Sequence, residues 1–304
     1  MSDPAAEKVI IDQQHSGERV DVALARQLGI SRSQIHKQLR SGQISREGVS
    51  AAINPSEQVH GGERFLVAPA VIEPTPAVPQ LAILYEDDDL LVVDKPAGLV
   101  VHTSESGRTQ PTVAAFAAAH GVIDNDSARP GIVHRLDKDT SGAMVLAKNP
   151  AAKDALQAQF KRRTVGKTYL ALVRGRLAQE EAVIELPIGR DRNRPVKRAV
   201  VAGARPAITR YRTIRTYPGA TLVEIELQTG RTHQIRVHFA HLGHPVVGDI
   251  LYGDAKRPRG LTRQWLHAAG LRLTTPAGRP LAVESPLPSD LKTYLQSLEE
   301  PGII

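Results

Sequence analysis

The residues from Gly131 to Lys148, GIVHRLDKDTSGAMVLAK, constrain this chain more than any other stretch. A short β-branched run, Gly131-Ile132-Val133, and an apolar run over 143–147 enclose a dense polar patch. Apolar runs on either side of Asp, Thr, Ser and Gly predict a strand, a turn and a second strand. A polar turn held by rigid strands often carries reactive side chains. A solvated surface hairpin has the same composition, so the residues alone leave both interpretations open.

Within this patch, Arg135 and Asp137 are two residues apart, which places them on one face of an extended segment. The sequence HRLDKDTSG resembles the signature loop of the RluA-type pseudouridine synthases. The resemblance implies that Asp137 is the catalytic residue. It also implies that Arg135 fills the place of a base extruded from the RNA, and that His134 orients the loop beside the bound RNA.

Two further segments extend the resemblance. The strand predicted over 167–173, KTYLALV, is similar to the one that supplies the family's tyrosine beside the target base, here Tyr169. A tyrosine packed in a sheet with a local hydrogen bond is the alternative. The segment GRTHQIR resembles the one whose first arginine, here Arg231, pairs with the catalytic carboxylate. An arginine within a few ångströms keeps a carboxylate ionised in a cleft that excludes water, so we expect an ion pair between Asp137 and Arg231.

The resemblance implies isomerisation of uridine within structured RNA. The bond from nitrogen to ribose breaks, the uracil turns, and a carbon–carbon bond forms. No group is gained or lost, so we expect no cofactor. The chain is most similar to the members that modify large-subunit ribosomal RNA; the same chemistry on tRNA and a catalytically silent RNA-binding protein are alternatives.

A glycosidic-bond hydrolase is a further alternative, because Asp137 and Asp139 are two nearby carboxylates. Such an enzyme needs its carboxyl groups on opposite sides of the substrate. One short loop is a poor scaffold for that arrangement, so we prefer the isomerase.

Charge supports a polyanionic partner. The 304 residues carry 39 Lys and Arg against 32 Asp and Glu, a net charge of +7, and basic segments lie at 161–163 and 190–198. A phosphate backbone is the partner that such segments favour, and we expect RNA. Cysteine is absent, and no signal peptide or membrane-length apolar run is visible, so we expect a cytoplasmic monomer with no membrane partner. His238, His241 and His244 have a spacing open to metal ligands, but we expect no metal.

Four segments are predicted along the chain: a flexible N-terminus over 1–15, a small module over 16–68, a proline-rich linker over 69–80, and a catalytic domain over 81–304. In the small module, ERVDVALARQLGISRSQIHKQLRSGQI resembles an RNA-binding module found in a ribosomal small-subunit protein and in tyrosyl-tRNA synthetases. Its second predicted helix, which Ser31 would cap, presents basic residues to RNA. These candidates are Arg32, Lys37 and Arg40.

Many short strands with interspersed helices, and no repeated strand–helix period, predict an α+β fold. The family resemblance implies a mixed, mainly antiparallel sheet with an active-site cleft across it.

Overall fold

A computed structural model describes residues 6–49, 51–68, 77–102, 110–126, 129–194, 196–253 and 255–299. The chain divides into two compact units, Met1–Thr75 and Pro76–Ile304. Most of the linker predicted over 69–80 lies outside the described residues. No helix among the described residues is long and apolar enough to span a bilayer.

The N-terminal unit packs two helices on a three-stranded antiparallel sheet with the strand order β1-β3-β2. Its elements are β1 (Glu7–Ile10), α1 (Val20–Leu28), α2 (Arg32–Ser41), β2 (Ile44–Arg46) and β3 (Arg64–Val67). The first strand was expected within a flexible N-terminus, and that prediction is wrong for residues 7–10. Their backbone pairs with β3, and Val9 enters the core of the unit.

Local signals define α2 as the sequence predicts. The Ser31 hydroxyl accepts a hydrogen bond from the Gln34 backbone N–H, and the Gln34 side chain accepts one from the Ser31 backbone N–H. This reciprocal cap satisfies two donors that helical hydrogen bonds leave free. The helix ends at Gly42, whose φ of 74° suits a residue without a Cβ.

The C-terminal unit is built on one large sheet with the strand order β4-β5-β6-β13-β7-β12-β11-β8, and β14 pairs with β13. Its strands are β4 (Ala82–Glu86), β5 (Leu90–Lys95), β6 (Ser141–Ala147), β7 (Gly166–Arg174), β8 (Glu181–Glu185), β11 (Ile208–Tyr217), β12 (Ala220–Leu227), β13 (Leu266–Thr274) and β14 (Pro280–Glu284). A separate antiparallel pair consists of β9 (Ile188–Arg190) and β10 (Arg198–Val200). Within the described residues β6 and β13 are parallel, and the other neighbours in the sheet are antiparallel. The mixed, mainly antiparallel α+β fold is therefore confirmed.

In the described part of this unit, four helices accompany the sheet: α3 (Val113–Ala119), α4 (Pro150–Arg162), α5 (Gln234–His241) and α6 (Ser289–Ser297). Both faces of the central strands are buried. In β5, Leu91 and Val93 belong to one apolar core, and Leu90 and Val92 belong to the core on the opposite face. Because neighbouring side chains in a strand point to opposite faces, two buried faces produce a continuous apolar run.

The strand expected over Gly131-Ile132-Val133 does not form. Ile132 makes an isolated bridge to Leu146, and Gly131 has a φ of 69°. A Cβ on Gly131 would overlap the carbonyl oxygen of Ala147, so the chain approaches β6 too closely for an ordinary strand neighbour. The polar patch is therefore a loop that leads into β6.

Candidate active site

The polar loop over 134–140 is held by its backbone carbonyl groups. The Asp137 carbonyl accepts from the Thr140 N–H at 3.1 Å, which closes a turn. The Lys138 carbonyl accepts from the Gly98 N–H at 2.9 Å and from Lys95 Nζ at 3.0 Å. These bonds fix the backbone of the loop and do not involve the Asp137 carboxylate, which lines the cleft.

Lys95 is a fully buried side chain beneath this loop. Its ammonium group also donates to the carbonyls of Pro96 and Leu99. Burial lowers its pKa to about 7, although the charges of Asp139 and Asp137 oppose the shift. The side chain therefore holds the loop through hydrogen bonds to neutral carbonyls, and among the described residues it forms no direct ion pair.

Gly142 ends the loop where β6 meets β13. It has a φ of 123°, and an added Cβ would overlap the backbone of Ala268. Only a residue without a side chain fits between the two strands at this approach. The final glycine of HRLDKDTSG is therefore required by the fold.

The Asp137 carboxylate forms an ion pair with Arg236 on α5. Arg236 Nη1 lies 3.1 Å from Asp137 Oδ2, and its Nε and Nη2 donate to both oxygens of Asp249 at 2.7 and 3.0 Å. Asp249 is buried and also accepts from the backbone N–H groups of Leu251 and Tyr252. Burial alone would lower the pKa of Arg236, but the hydrogen bonds and charges of Asp249 and Asp137 outweigh it and raise the pKa. A rigid, permanent cation thus faces Asp137.

This arrangement corrects the predicted ion pair between Asp137 and Arg231. Arg231 Nε donates to the carbonyl of Pro206 at 3.1 Å, and Arg236, five residues later, contacts the carboxylate. Arg231 precedes α5, whereas Arg236 lies within it. The position of α5 therefore determines that the Arg236 guanidinium reaches the loop that carries Asp137. Both arginines line the same cleft.

Tyr169 on β7 is buried at the base of the cleft beside Asp137. Its pKa is raised by burial and, secondarily, by the negative charge of Asp137. The phenol therefore keeps its proton at neutral pH.

His233 is a cleft residue that sequence reasoning missed. It caps α5 with a left-handed φ of 58°, a conformation that is strained for a residue other than glycine. Its Nδ1 lies 2.8 Å from the Tyr252 hydroxyl, and its Nε2 lies 3.9 Å from Asp137 Oδ1. Burial lowers the pKa of His233, while Asp137 opposes the shift, so the ring faces the carboxylate in its neutral form near pH 7.

The sequence carries few signals for these additional residues. The segment GRTHQIR includes His233 and Arg236, but nothing in this sequence indicates whether Arg231 or Arg236 contacts Asp137. Asp249 follows an apolar run and Gly248, where an aspartate is usually a simple turn residue.

The cleft encloses a volume of about 90 Å³. Arg135 lies at its edge and is exposed. His134 differs from its neighbour, because its Nε2 accepts from the Val145 N–H at 3.1 Å and its ring stacks on Phe160. Burial lowers the pKa of His134 to about 3, so the neutral ring orients the loop and contributes no charge to RNA binding.

The basic residues predicted on α2 have different environments. Arg32 Nη2 lies 2.7 Å from the buried carboxylate of Asp21, so part of its charge is engaged within the unit. Lys37 and Arg40 are exposed. They are the cations of this helix that remain available for a partner.

The three spaced histidines are not arranged around one point. His238 is buried, with Nδ1 at 2.9 Å from the Thr209 hydroxyl and Nε2 at 3.0 Å from the Leu186 carbonyl. His244 Nδ1 contacts the carbonyl of Arg174. Across the described ranges, no cluster of three metal-binding side chains occurs.

Comparison with known proteins agrees with this geometry. A family model described as RNA pseudouridylate synthase matches residues 89–241. An uncharacterized RNA pseudouridine synthase of Mycobacterium bovis is 43% identical, with 94% of this chain and 96% of the relative covered. The ribosomal large subunit pseudouridine synthase D of Nitrosomonas europaea is 41% identical, with 93% and 85% covered.

Among solved structures, human RNA pseudouridylate synthase domain containing 1 is 30% identical. It superposes with a TM-score of 0.57 over 75% of this chain and 98% of that chain. Together with the loop that presents Asp137 to the cleft, these similarities show that the chain belongs to the RNA pseudouridylate synthase family, whose members isomerise uridine to pseudouridine.

Proposed function

We propose that this enzyme isomerises uridines in large-subunit ribosomal RNA, with Asp137 as the reacting carboxylate. The observation that carries the proposal is the Asp137–Arg236 pair at 3.1 Å in a cleft that solvent still reaches, since the Asp137 side chain is 18% exposed. Oδ1 has no hydrogen-bond donor among the described residues, so one oxygen remains free for substrate.

The reaction needs this free oxygen near the ribose. After the glycosidic nitrogen–carbon bond breaks, Asp137 either attacks the sugar carbon or removes a sugar proton. The uracil then turns and its ring carbon bonds to the sugar. In the first case the bond between Asp137 and the sugar breaks; in the second the sugar takes its proton back from Asp137. The ring carbon loses its proton and the freed ring nitrogen gains one, so that substrate and product have the same composition. Both roles require an ionised carboxylate, and Arg236, itself fixed by Asp249, supplies the balancing charge.

Tyr169 has the position and chemistry of a stacking surface for uracil. Burial raises its pKa, so a phenolate base would be costly to form near pH 7. Its environment therefore favours stacking on the uracil ring over removal of a proton from it.

A base within folded RNA reaches the cleft only after extrusion, which costs a few kcal/mol. Arg135 is exposed at the edge of the cleft, where its guanidinium can occupy the vacated space in the RNA. The N-terminal unit adds affinity through Lys37 and Arg40, which contact phosphates and carry no base specificity.

The ribosomal substrate rests on the names of relatives. The proteins from Nitrosomonas europaea and Xanthomonas campestris are both called ribosomal large subunit pseudouridine synthase D, and this chain covers 85% and 94% of them. Such a substrate implies action in the cytoplasm. We also propose that the enzyme acts as a monomer.

Mapping of pseudouridines in total RNA tests the substrate. Carbodiimide adducts stop reverse transcription at pseudouridine, and RNA from cells with and without this protein is compared. We expect stops to disappear from large-subunit ribosomal RNA. Loss confined to tRNA would contradict the ribosomal substrate and leave the chemistry intact.

A further inference from the structure

Two grooves rich in unpaired cations adjoin the catalytic cleft. The first contains Arg135, Lys161, Arg163, Lys167 and Arg231. The second contains Arg190, Arg198, Arg205 and Arg231. Arg231 and Gly230 line both grooves and the cleft itself, so the three spaces meet at this point.

The charges in these grooves lack internal partners. Neither groove is lined by a carboxylate among the described residues, and none of its cations forms an ion pair there. By contrast, two exposed arginines on the large sheet form ion pairs: Arg212 with Glu224 and Arg272 with Glu226. A concentration of uncompensated cations is the electrostatic requirement for a polyanionic ligand.

Arg231 lies between the two sets of charges. Its pKa is lowered by burial and then by the positive charges of Arg205, from the second groove, and Arg163, from the first. Its Nε is bonded to Pro206, and its two terminal nitrogens have no acceptor within the described part of the chain. A phosphate at this position would accept those donors and offset the repulsion among the three guanidinium groups.

Backbone strain supplies an independent observation for the first groove. Arg163 ends α4 with a left-handed φ of 62°. Glycine is the residue that this helix-terminal conformation favours, because it has no Cβ. An arginine at such a position needs a reason beyond the local fold, and its side chain lines the groove.

We propose that the two grooves bind the RNA backbone on opposite sides of the target nucleotide, with Arg231 on the phosphate between them. This inference rests on the proposed function and extends it. It assigns Arg231 to substrate binding. It also assigns Lys161 and Arg163 to one flank of the RNA, and Arg190 and Arg198 to the other.

Matched double substitutions test each groove. Lys161→Gln with Arg163→Gln alters the first groove, and Arg190→Gln with Arg205→Gln alters the second. Arg259→Gln with Lys292→Gln is the control, because it removes two exposed cations that line neither groove. Each protein is titrated with an RNA that carries the target uridine and both flanks, and with RNAs shortened on the 5′ or the 3′ side.

We expect each groove variant to lose affinity for the full RNA and for the RNA that retains its own flank. Its affinity should equal that of the wild type on the RNA that lacks this flank, and the two variants should respond to opposite truncations. A plot of log affinity against log salt has a negative slope, and its magnitude should decrease by about 1.4 for each variant. Each variant removes two cations, and each contact to a single-strand phosphate contributes about 0.7. Identical responses to both truncations, or an equal loss in the control, would overturn the proposal.

Arg163→Gly separates binding from folding. We expect a melting temperature no lower than that of the wild type, because the left-handed position favours glycine, together with weaker RNA binding. Unchanged binding in this variant would remove Arg163 from the groove's function. Tritium release by the wild type from uridine labelled at ring carbon five tests the isomerase separately: no release would contradict the proposed function, whereas the flank titrations measure binding alone.

Discussion

Each unit of this protein contains an aspartate held by arginine, and the two differ in what remains free. Asp21 in the N-terminal unit has a fully buried side chain that accepts hydrogen bonds from Arg19, Arg32 and His36. Asp137 in the cleft has one bond to Arg236 and an oxygen without a donor among the described residues. A saturated carboxylate holds helices together, whereas an unsaturated one can react.

The arginines that bind the two aspartates also differ in their burial. Arg19 and Arg32 are about half exposed and reach inward to Asp21. Arg236 is buried and is held by a second carboxylate, that of Asp249. Asp249 therefore fixes the position of Arg236, and the second oxygen of Asp137 remains available to the substrate.

The largest expected effect is that of Asp137→Asn. We expect turnover to fall by at least about 10²–10⁴-fold, the range for loss of a group that acts on protons, with RNA binding largely retained. Tritium release from labelled uridine measures turnover. The matched variant Asp139→Asn, in the same loop, should lose far less; an equal loss would support a second catalytic carboxylate.

Arg236→Lys sharpens the comparison by keeping the charge and removing the forked geometry. We expect kcat to fall about 10²-fold, because a small displacement of Asp137 misplaces the reacting oxygen. Arg231→Lys should act mainly on RNA affinity. If Arg231→Lys lowered kcat more than Arg236→Lys, Arg231 would be the functional partner of Asp137 after all.

Lys95→Met tests whether the buried loop anchor matters for the reactive aspartate. We expect about a tenfold loss of turnover as the Lys138 carbonyl loses one of its two donors. The pKa of Lys95 falls from 10.5 to about 7 on folding, so between these pH values the unfolded chain binds the extra proton. Stability conferred by Lys95 should therefore rise from pH 7 toward pH 10.

Denaturant unfolding of the wild type and Lys95→Met at several pH values measures this difference. The gap between the two proteins should change in favour of the wild type as the pH increases. A gap that is constant from pH 7 to 10 would show that Lys95 does not lose its proton in the folded state.

The smallest effect on turnover is expected for Asp21→Asn. Turnover at saturating RNA should stay near that of the wild type, while α1 and α2 lose about 1–3 kcal/mol of local stability from weakened charged hydrogen bonds. Hydrogen exchange of the amides in these helices measures the loss. Desolvation opposes ionisation of Asp21, but the bonds from Arg19, Arg32 and His36 prevail and lower its pKa.

The stability difference between the wild type and Asp21→Asn should depend on pH. Because folding lowers the pKa of Asp21, its contribution is fully present above the unfolded value of 3.8 and decreases progressively as the pH falls from 3.8 through the lower folded pKa. The difference between the wild type and Asp21→Asn should therefore shrink from pH 6 to pH 3. A difference that stays constant from pH 6 to pH 3 would show that folding does not lower the pKa of Asp21.

Local rules determined much of this fold. Ser31 and Gly42 bound α2 through contacts within a few residues, and Asn149 caps α4 in the same way. The loop that carries Asp137 was recognisable because its residues are adjacent in sequence. Such features depend on short-range sterics and hydrogen bonds, which the sequence displays directly.

Long-range contacts were decided by the tertiary structure. The bond between Arg236 and Asp137 joins residues 99 positions apart, and the packing of α5 against β10 and β11 determines that Arg236, and not Arg231, reaches Asp137. The burial of Asp249 and Lys95, and the engagement of Arg32 by Asp21, likewise depend on which surfaces meet. A polar side chain has the same identity in solvent and in a core, so the sequence specifies its chemistry, whereas packing determines its partner and its charge.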